Sequence, residues 1–138
     1  MNSAISQAAE GFERVALVGH SGGGTVATLV AARRRDVAWL ITIAANLDHR
    51  AWTEMHRVSP LTGSLNAADY AHAVEKIPQL HLVGGRDEIV TAEVIRSFVD
   101  RIADQSQVHV QVETEFDHDC CWEKHWPELR CALTAVGC

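Results

Sequence analysis

Three short strand-like runs, Val15–Val18, Val37–Ala45 and Leu80–Val83, do most to limit what this chain can fold into. The first lacks the polar/apolar alternation of a half-wetted strand, which suits a strand covered on both faces, and the second reads the same way. Gly84-Gly85 closes the third. Helical patterns separate them. From Ser3 to Phe12 one face carries Ile5, Ala8, Ala9 and Phe12, with Ser3 available as N-cap and Gly11 near the stop. From Ser21 to about Arg35 a Gly- and Ala-rich helix carries Val26, Leu29 and Val30.

The connection from Asn46 to Pro78 holds turn signals at Ser59-Pro60 and Thr62-Gly63-Ser64, then a helical stretch from near Asn66. Thr91–Ala103 sets Val94, Ile95, Phe98, Val99 and Ile102 at helical spacing. Val108, Val110 and Val112 alternate with polar residues as in an outer strand, and Cys120–Ala135 reads as a last helix. Strand and helix alternate throughout, which predicts an α/β fold. The expected architecture is a three-layer α-β-α domain spanning 1–138 around a mostly parallel sheet of about four strands with right-handed crossovers. There is no internal repeat and no evident linker.

Composition narrows the functions such a fold could serve. Of 138 residues 47% are hydrophobic and 22% charged, the balance of an ordinary globular domain. A formal charge of −6 and a pI near 5.7 give no electrostatic reason to expect nucleic acid or an anionic membrane as partner. The basic run Arg33-Arg34-Arg35 is read as a solvated helix end. The longest apolar stretch is too short to span a bilayer and no signal pattern follows Met1, so the chain as written would stay in the cytoplasm. Its cysteines, Cys120, Cys121, Cys131 and Cys138, lack the spacing of a zinc site, and no metal or other cofactor is expected. Cys131 and Cys138, seven apart, could share a helix face and form a disulfide, or lie buried as thiols.

The chemistry concentrates in Gly19-His20-Ser21-Gly22-Gly23, a G-x-S-x-G sequence between a predicted buried strand and a predicted helix. Gly19 and Gly23 lack the Cβ atoms that would collide across a tight strand-to-helix turn, and the turn exposes the serine hydroxyl. The Gly22 N–H, at a helix start, can help stabilise an oxyanion. Serine is a poor nucleophile without a base oriented by a third group. Downstream, Asp87 follows the third strand and His118 follows the outer strand, both at the carboxyl edge where open α/β sheets bind ligands. Asp87 would fix the tautomer of His118, which would relay the proton of Ser21. Asp48, after the second strand, is the alternative acid.

Seven other histidines compete as base. His20 lies within the turn itself, His81 and His109 fall in strands, and His125 is in the last helix. His49, His56 and His72 precede the acid.

Taken in order, Leu17-Val-Gly-His-Ser-Gly-Gly-Gly24, Gly84-Gly-Arg-Asp87 and Asp117-His118 resemble the α/β-hydrolase superfamily. The resemblance covers essentially the whole chain but only the second half of that fold, which implies an N-terminally truncated domain without the loop that supplies a second oxyanion donor. Ala45-Asn46-Leu47-Asp48-His49, Ser59-Pro60-Leu61 and Ser64-Leu65-Asn66 further resemble a little-characterised group of bacterial α/β-hydrolases often made with an export signal, so a longer parent could be exported. The function implied is a serine hydrolase cleaving small-molecule carboxylic esters through an acyl-enzyme on Ser21. Trp52, Met55 and Leu61 would either form an acyl pocket or pack into the core. The alternative is a catalytically impaired fragment or a non-catalytic binding module. The Val15–Val18 strand, with one edge lacking a partner in the chain, could pair with a second copy in a homodimer.

Overall fold

Four parallel strands lie side by side in chain order: β1 (Val15–His20), β2 (Val37–Ile43), β3 (Gln79–Gly84) and β4 (Val108–Glu113). The computed structural model describes residues 1–129. Among the described residues six α-helices accompany the sheet: α1 (Asn2–Ala8), α2 (Gly22–Ala31), α3 (His49–His56), α4 (Ala71–Val74), α5 (Ala92–Val99) and α6 (Trp122–Leu129). In register, Val18 stands beside Ile41, Ile41 beside Leu80 and Leu80 beside His109.

Side-chain alternation sends the two faces of β2 and β3 into separate cores. On one, Leu17, Leu40 and Val83 meet Val30 of α2 and Val94, Ile95 and Phe98 of α5. On the other, Ile41, Ile43, Leu80 and Leu82 meet Trp122 and Leu129 of α6. Helices therefore cover both faces, and burial of one such side chain, Phe98 for example, stabilises by roughly 2–3 kcal/mol. The first core also carries polar groups. His81 is fully buried, accepts the Thr42 hydroxyl at Nδ1 (2.8 Å) and donates from Nε2 to Gln79 Oε1 (3.2 Å). The Gln79 amide in turn donates to Val74 O. Burial pushes the His81 pKa down to about 4.

Several expectations need correction. β1 is not covered on both faces: Leu17 is buried, but Val18 is 48% exposed because α6 sits over β2 and β3 and only β2 flanks β1. α1 starts from Met1 rather than Ser3 and stops at Ala8, and no residue in it is buried. The chain then turns at Gly11, whose φ of 88° favours glycine. α3 lies in the stretch expected to be connection, with Asp48 as N-cap accepting Arg50 N–H. Its C-cap, Arg57, has φ 54°, which ends the helix.

α5 ends at Val99, four residues before the expected stop. In the basic run, Arg34 is not solvated: it pairs with Asp36 and donates to Asn2 and Ser6, tying α1 to the end of α2. A disulfide joins the neighbours Cys120 and Cys121, a pairing the spacing argument did not raise. Cys131, Cys138 and the part of the last helix beyond Leu129 lie outside the described residues. Among the described residues no helix is long and apolar enough to cross a membrane.

Candidate active site

The turn between β1 and α2 puts Ser21 at φ 51° and ψ −125°, a backbone conformation an L-residue adopts only under constraint. The constraint is visible: Ser21 N–H donates to Ile43 O at the end of β2 (2.8 Å), and Ser21 O accepts from Gly24 N–H (3.0 Å). A methyl at Gly19 would collide with the carbonyl of Gly23, as expected, but the second close approach is at Gly24, against the side chain of Ala45, and not at Gly23, where a Cβ would meet nothing. Only glycines let strand and helix approach this closely. The Gly22 N–H is the first of α2, and the opening N–H groups of a helix lack acceptors within it.

His118 reaches Ser21 from the loop after β4. Its Nε2 lies 2.9 Å from Ser21 Oγ and its Nδ1 2.9 Å from Asp87 Oδ2. Since a carboxylate only accepts, Nδ1 carries the proton, and Nε2 is left to accept from the serine hydroxyl. Asp87 sits after β3, its side chain fully buried, and its Oδ1 accepts the N–H groups of Ile89 and Val90 at 2.8 Å each. These two bonds turn the other oxygen toward the imidazole. The His118 carbonyl is held from outside, accepting His20 Nε2–H at 2.8 Å and Trp122 Nε1–H at 3.1 Å. Asp117 folds the loop by accepting Asp119 and Cys120 N–H, bonds that hold its carboxyl below the usual range.

The structure thus brings Ser21, Asp87 and His118 into one hydrogen-bonded series and leaves Asp48 elsewhere. Asp48 is buried and accepts from Arg50 N–H, Asn66, Ser97 and Arg101. Burial alone would raise its carboxyl, but the hydrogen bonds from Ser97, Asn66 and Arg50, with the charge of Arg101, hold it below the usual range. Its oxygens are committed to α3, α5 and the chain between them. Of the other histidines, His56 and His49 contact backbone carbonyls of Ile89 and Ser64, and His125 contacts Glu128.

The residues expected to form an acyl pocket are placed differently. Trp52 donates its indole N–H to Ile89 O, and Met55 Sδ accepts from Thr91. Leu61 lines a cavity with His49, Val58 and Pro60. A cavity of about 310 Å³ is bounded by His20, Ile43, Trp122 and Trp126, with Asp119 and Glu123, and His118 itself lines a separate one with Arg86, Ile89 and Asp117. Sequence reasoning missed the two tryptophans. Their i, i+4 spacing on an amphipathic helix directly after His118 was the available signal.

His20, His118 and Asp119 bring metal-ligand atoms within 4.8 Å of one another, the one such group found among the described residues. Both His118 nitrogens are already engaged, by Asp87 and Ser21, and His20 Nε2 by the His118 carbonyl. An ion there would have to displace the Ser21 contact.

Known structures share this arrangement of elements. An esterase of Pyrococcus furiosus matches with a TM-score of 0.74 over 97% of this chain and 57% of its own, at 15% identity. An α/β serine hydrolase homologue from Coxiella burnetii matches at 0.68 over 99% of this chain and 56% of its own, at 23% identity. An α/β-hydrolase enzyme from a lagoon-sediment metagenome of Mar Chica, Morocco, matches at 0.71 over 98% and 67%, at 18% identity. No protein-family model and no curated protein matches the sequence. The chain carries the α/β-hydrolase fold. It spans a little over half the length of the first two of these structures.

Proposed function

We propose that this chain is a serine hydrolase that cleaves carboxylic esters through an acyl-enzyme on Ser21. The observation that carries the reading is the series Ser21 Oγ, His118 Nε2, His118 Nδ1, Asp87 Oδ2, with both links at 2.9 Å. In this mechanism Ser21 Oγ attacks the ester carbonyl while its proton passes to His118 Nε2. The imidazolium that forms is stabilised by the buried Asp87 carboxylate, which keeps its own negative charge. The tetrahedral oxyanion faces the start of α2, where Gly22 N–H and the helix dipole favour negative charge. Collapse expels the alcohol, which takes the proton from His118. Water then repeats the sequence and releases the acid.

Two features support a poised nucleophile. The strained backbone of Ser21 lifts its Oγ clear of the strand, and the His118 carbonyl is pinned by His20 and Trp122, so serine and base are held by separate elements. The neighbouring folds include enzymes described as esterases and hydrolases. The test is incubation with a fluorophosphonate probe and mapping of the labelled residue. Labelling at Ser21 that disappears in Ser21→Ala is expected. Labelling that survives that substitution would overturn the assignment.

A further inference from the structure

We propose that His20, His118 and Asp119 form a binding site for a divalent transition-metal ion of the zinc class, and that filling it switches off Ser21. The switching claim rests on the hydrolase reading above, whereas the binding claim does not. Ligand atoms of the three residues lie within 4.8 Å of one another. Donors around a tetrahedral zinc ion, each about 2.0–2.2 Å from the metal, stand roughly 3.4 Å apart, so small side-chain rotations complete the site. His20 and Asp119 are exposed and can make them. Asp119 also lines both neighbouring cavities, the one that holds His20 and the one that holds His118, so its carboxylate borders both imidazoles.

The two rings are already held as metal ligands are held. An imidazole that binds a metal through one nitrogen commonly donates its other ring N–H to a carboxylate or a backbone carbonyl, which fixes its tautomer and orientation. His118 donates Nδ1–H to the buried Asp87 carboxylate at 2.9 Å, and His20 donates Nε2–H to the His118 carbonyl at 2.8 Å. Each neutral ring therefore keeps one nitrogen with a lone pair. At His118 that nitrogen is Nε2, which the Ser21 hydroxyl engages at 2.9 Å. A single neutral hydrogen bond is a weak competitor for a metal ion. Two imidazoles and one carboxylate suit zinc and its neighbours, whereas magnesium and calcium take oxygen ligands. A water molecule would complete four-coordination. Once Nε2 gives its lone pair to the ion it cannot take the proton of Ser21 Oγ, so attack stops. Removal of the ion returns the lone pair and the activity with it.

The test uses Zn²⁺, with Mg²⁺ as the oxygen-seeking control. Competition with a chromophoric chelator reads zinc affinity, and the rate of fluorophosphonate labelling at Ser21 reads the base. Zn²⁺ is expected to bind and to slow labelling, EDTA to restore it, and Mg²⁺ at equal concentration to do neither. Asp119→Asn removes the carboxylate, and His20→Gln removes a ligand nitrogen while keeping an N–H donor for the His118 carbonyl. In each, zinc affinity and inhibition should fall at least about tenfold, judged against that variant's own metal-free rate. In Ser21→Ala, which removes the competing hydroxyl, zinc should bind about threefold to tenfold tighter. Wild-type zinc affinity in either Asp119→Asn or His20→Gln would place the ion elsewhere and overturn the site. An unchanged affinity in Ser21→Ala would place it clear of Nε2 and do the same. Zinc binding that depends on His20 and Asp119, in a protein whose Ser21 never labels, supports the site and sinks the hydrolase reading. Labelling at Ser21 that zinc leaves untouched does the reverse.

Discussion

The two buried aspartates that follow strands show how position alone leaves a carboxylate's role open. Asp48 comes after β2 and Asp87 after β3, both at the carboxyl edge of the sheet. What separates them is their donors. Asp87 spends one oxygen on two backbone N–H groups of its own loop and keeps the other for His118, while both oxygens of Asp48 are taken by groups that hold α3 and α5 together. Replacement should therefore separate chemistry from stability. Asp87→Asn presents an amide where His118 Nδ1–H needs an acceptor, and should cut ester hydrolysis by about ten-thousandfold with little change in melting temperature. Asp48→Ala strands buried donors on Asn66 and Ser97 and should destabilise by about 2–3 kcal/mol in a urea titration. The folded fraction of that variant should label with fluorophosphonate at an unchanged rate. A variant of Asp48 that folds normally but no longer labels would reverse the two assignments.

Between β2 and β3 the sheet is held by a polar pairing inside an apolar core. Thr42 stands opposite His81 in register, and the Gln79 amide, oriented by Val74 O, presents its oxygen to His81 Nε2–H. Every hydrogen-bonding atom of the neutral ring is satisfied, so the folded state resists protonation there. With the His81 pKa at about 4 against 6.5 for the free group, the unfolded chain binds the extra proton first as pH falls. The stability owed to neutral His81 is complete above pH 6.5 and drains away down to about pH 4. Between pH 7 and 5 the loss is about 2 kcal/mol. Urea midpoints at the two pH values should show it, and His81→Asn, though less stable at pH 7, should lose most of the slope. A wild-type slope kept in full by that variant would assign it to other groups.

Elements of this kind were legible to different degrees. β2 and β3 could be read because both faces of each are covered, which makes their sequences mostly apolar, with Thr42, Gln79 and His81 as the polar exceptions. The turn at Ser21 could be read because close strand-helix approach demands glycines at fixed offsets. α3 could not: His49–His56 buries only Thr53 fully, so its sequence carries no continuous apolar stripe, and the residue that starts it, Asp48, was weighed as an acid rather than as a cap. Trp122 and Trp126 stayed hidden for a related reason. Their role depends on where α6 lands over β2, a tertiary fact that no local period encodes.

At the scale of the whole molecule the sheet is asymmetric in its edges. Among the described residues β4 ends one side and β1 the other, so β1 pairs there with β2 alone. Beyond β1 runs an open groove of about 470 Å³ between it and α1, lined by Ile5, Ala8, Phe12 and Val18 among others, with Phe12 74% and Val18 48% exposed. An edge strand of this composition has outward N–H and C=O groups without sheet partners and no lysine or proline to discourage pairing, which natural edges usually have. A second copy offers the same strand, so a two-fold arrangement of β1 against β1 would join two four-stranded sheets into one and bury both grooves. The expected outcome is a concentration-dependent dimer by multi-angle light scattering. Val18→Lys, which sets a charge on the exposed strand while sparing Leu17 and the turn at Ser21, should shift it to monomer. The monomer should keep wild-type fluorophosphonate labelling, because Ser21, His118 and Asp87 are all supplied by one chain. A wild-type protein that stays monomeric at high concentration, or a dimer indifferent to Val18→Lys, would show that this edge is not where copies meet.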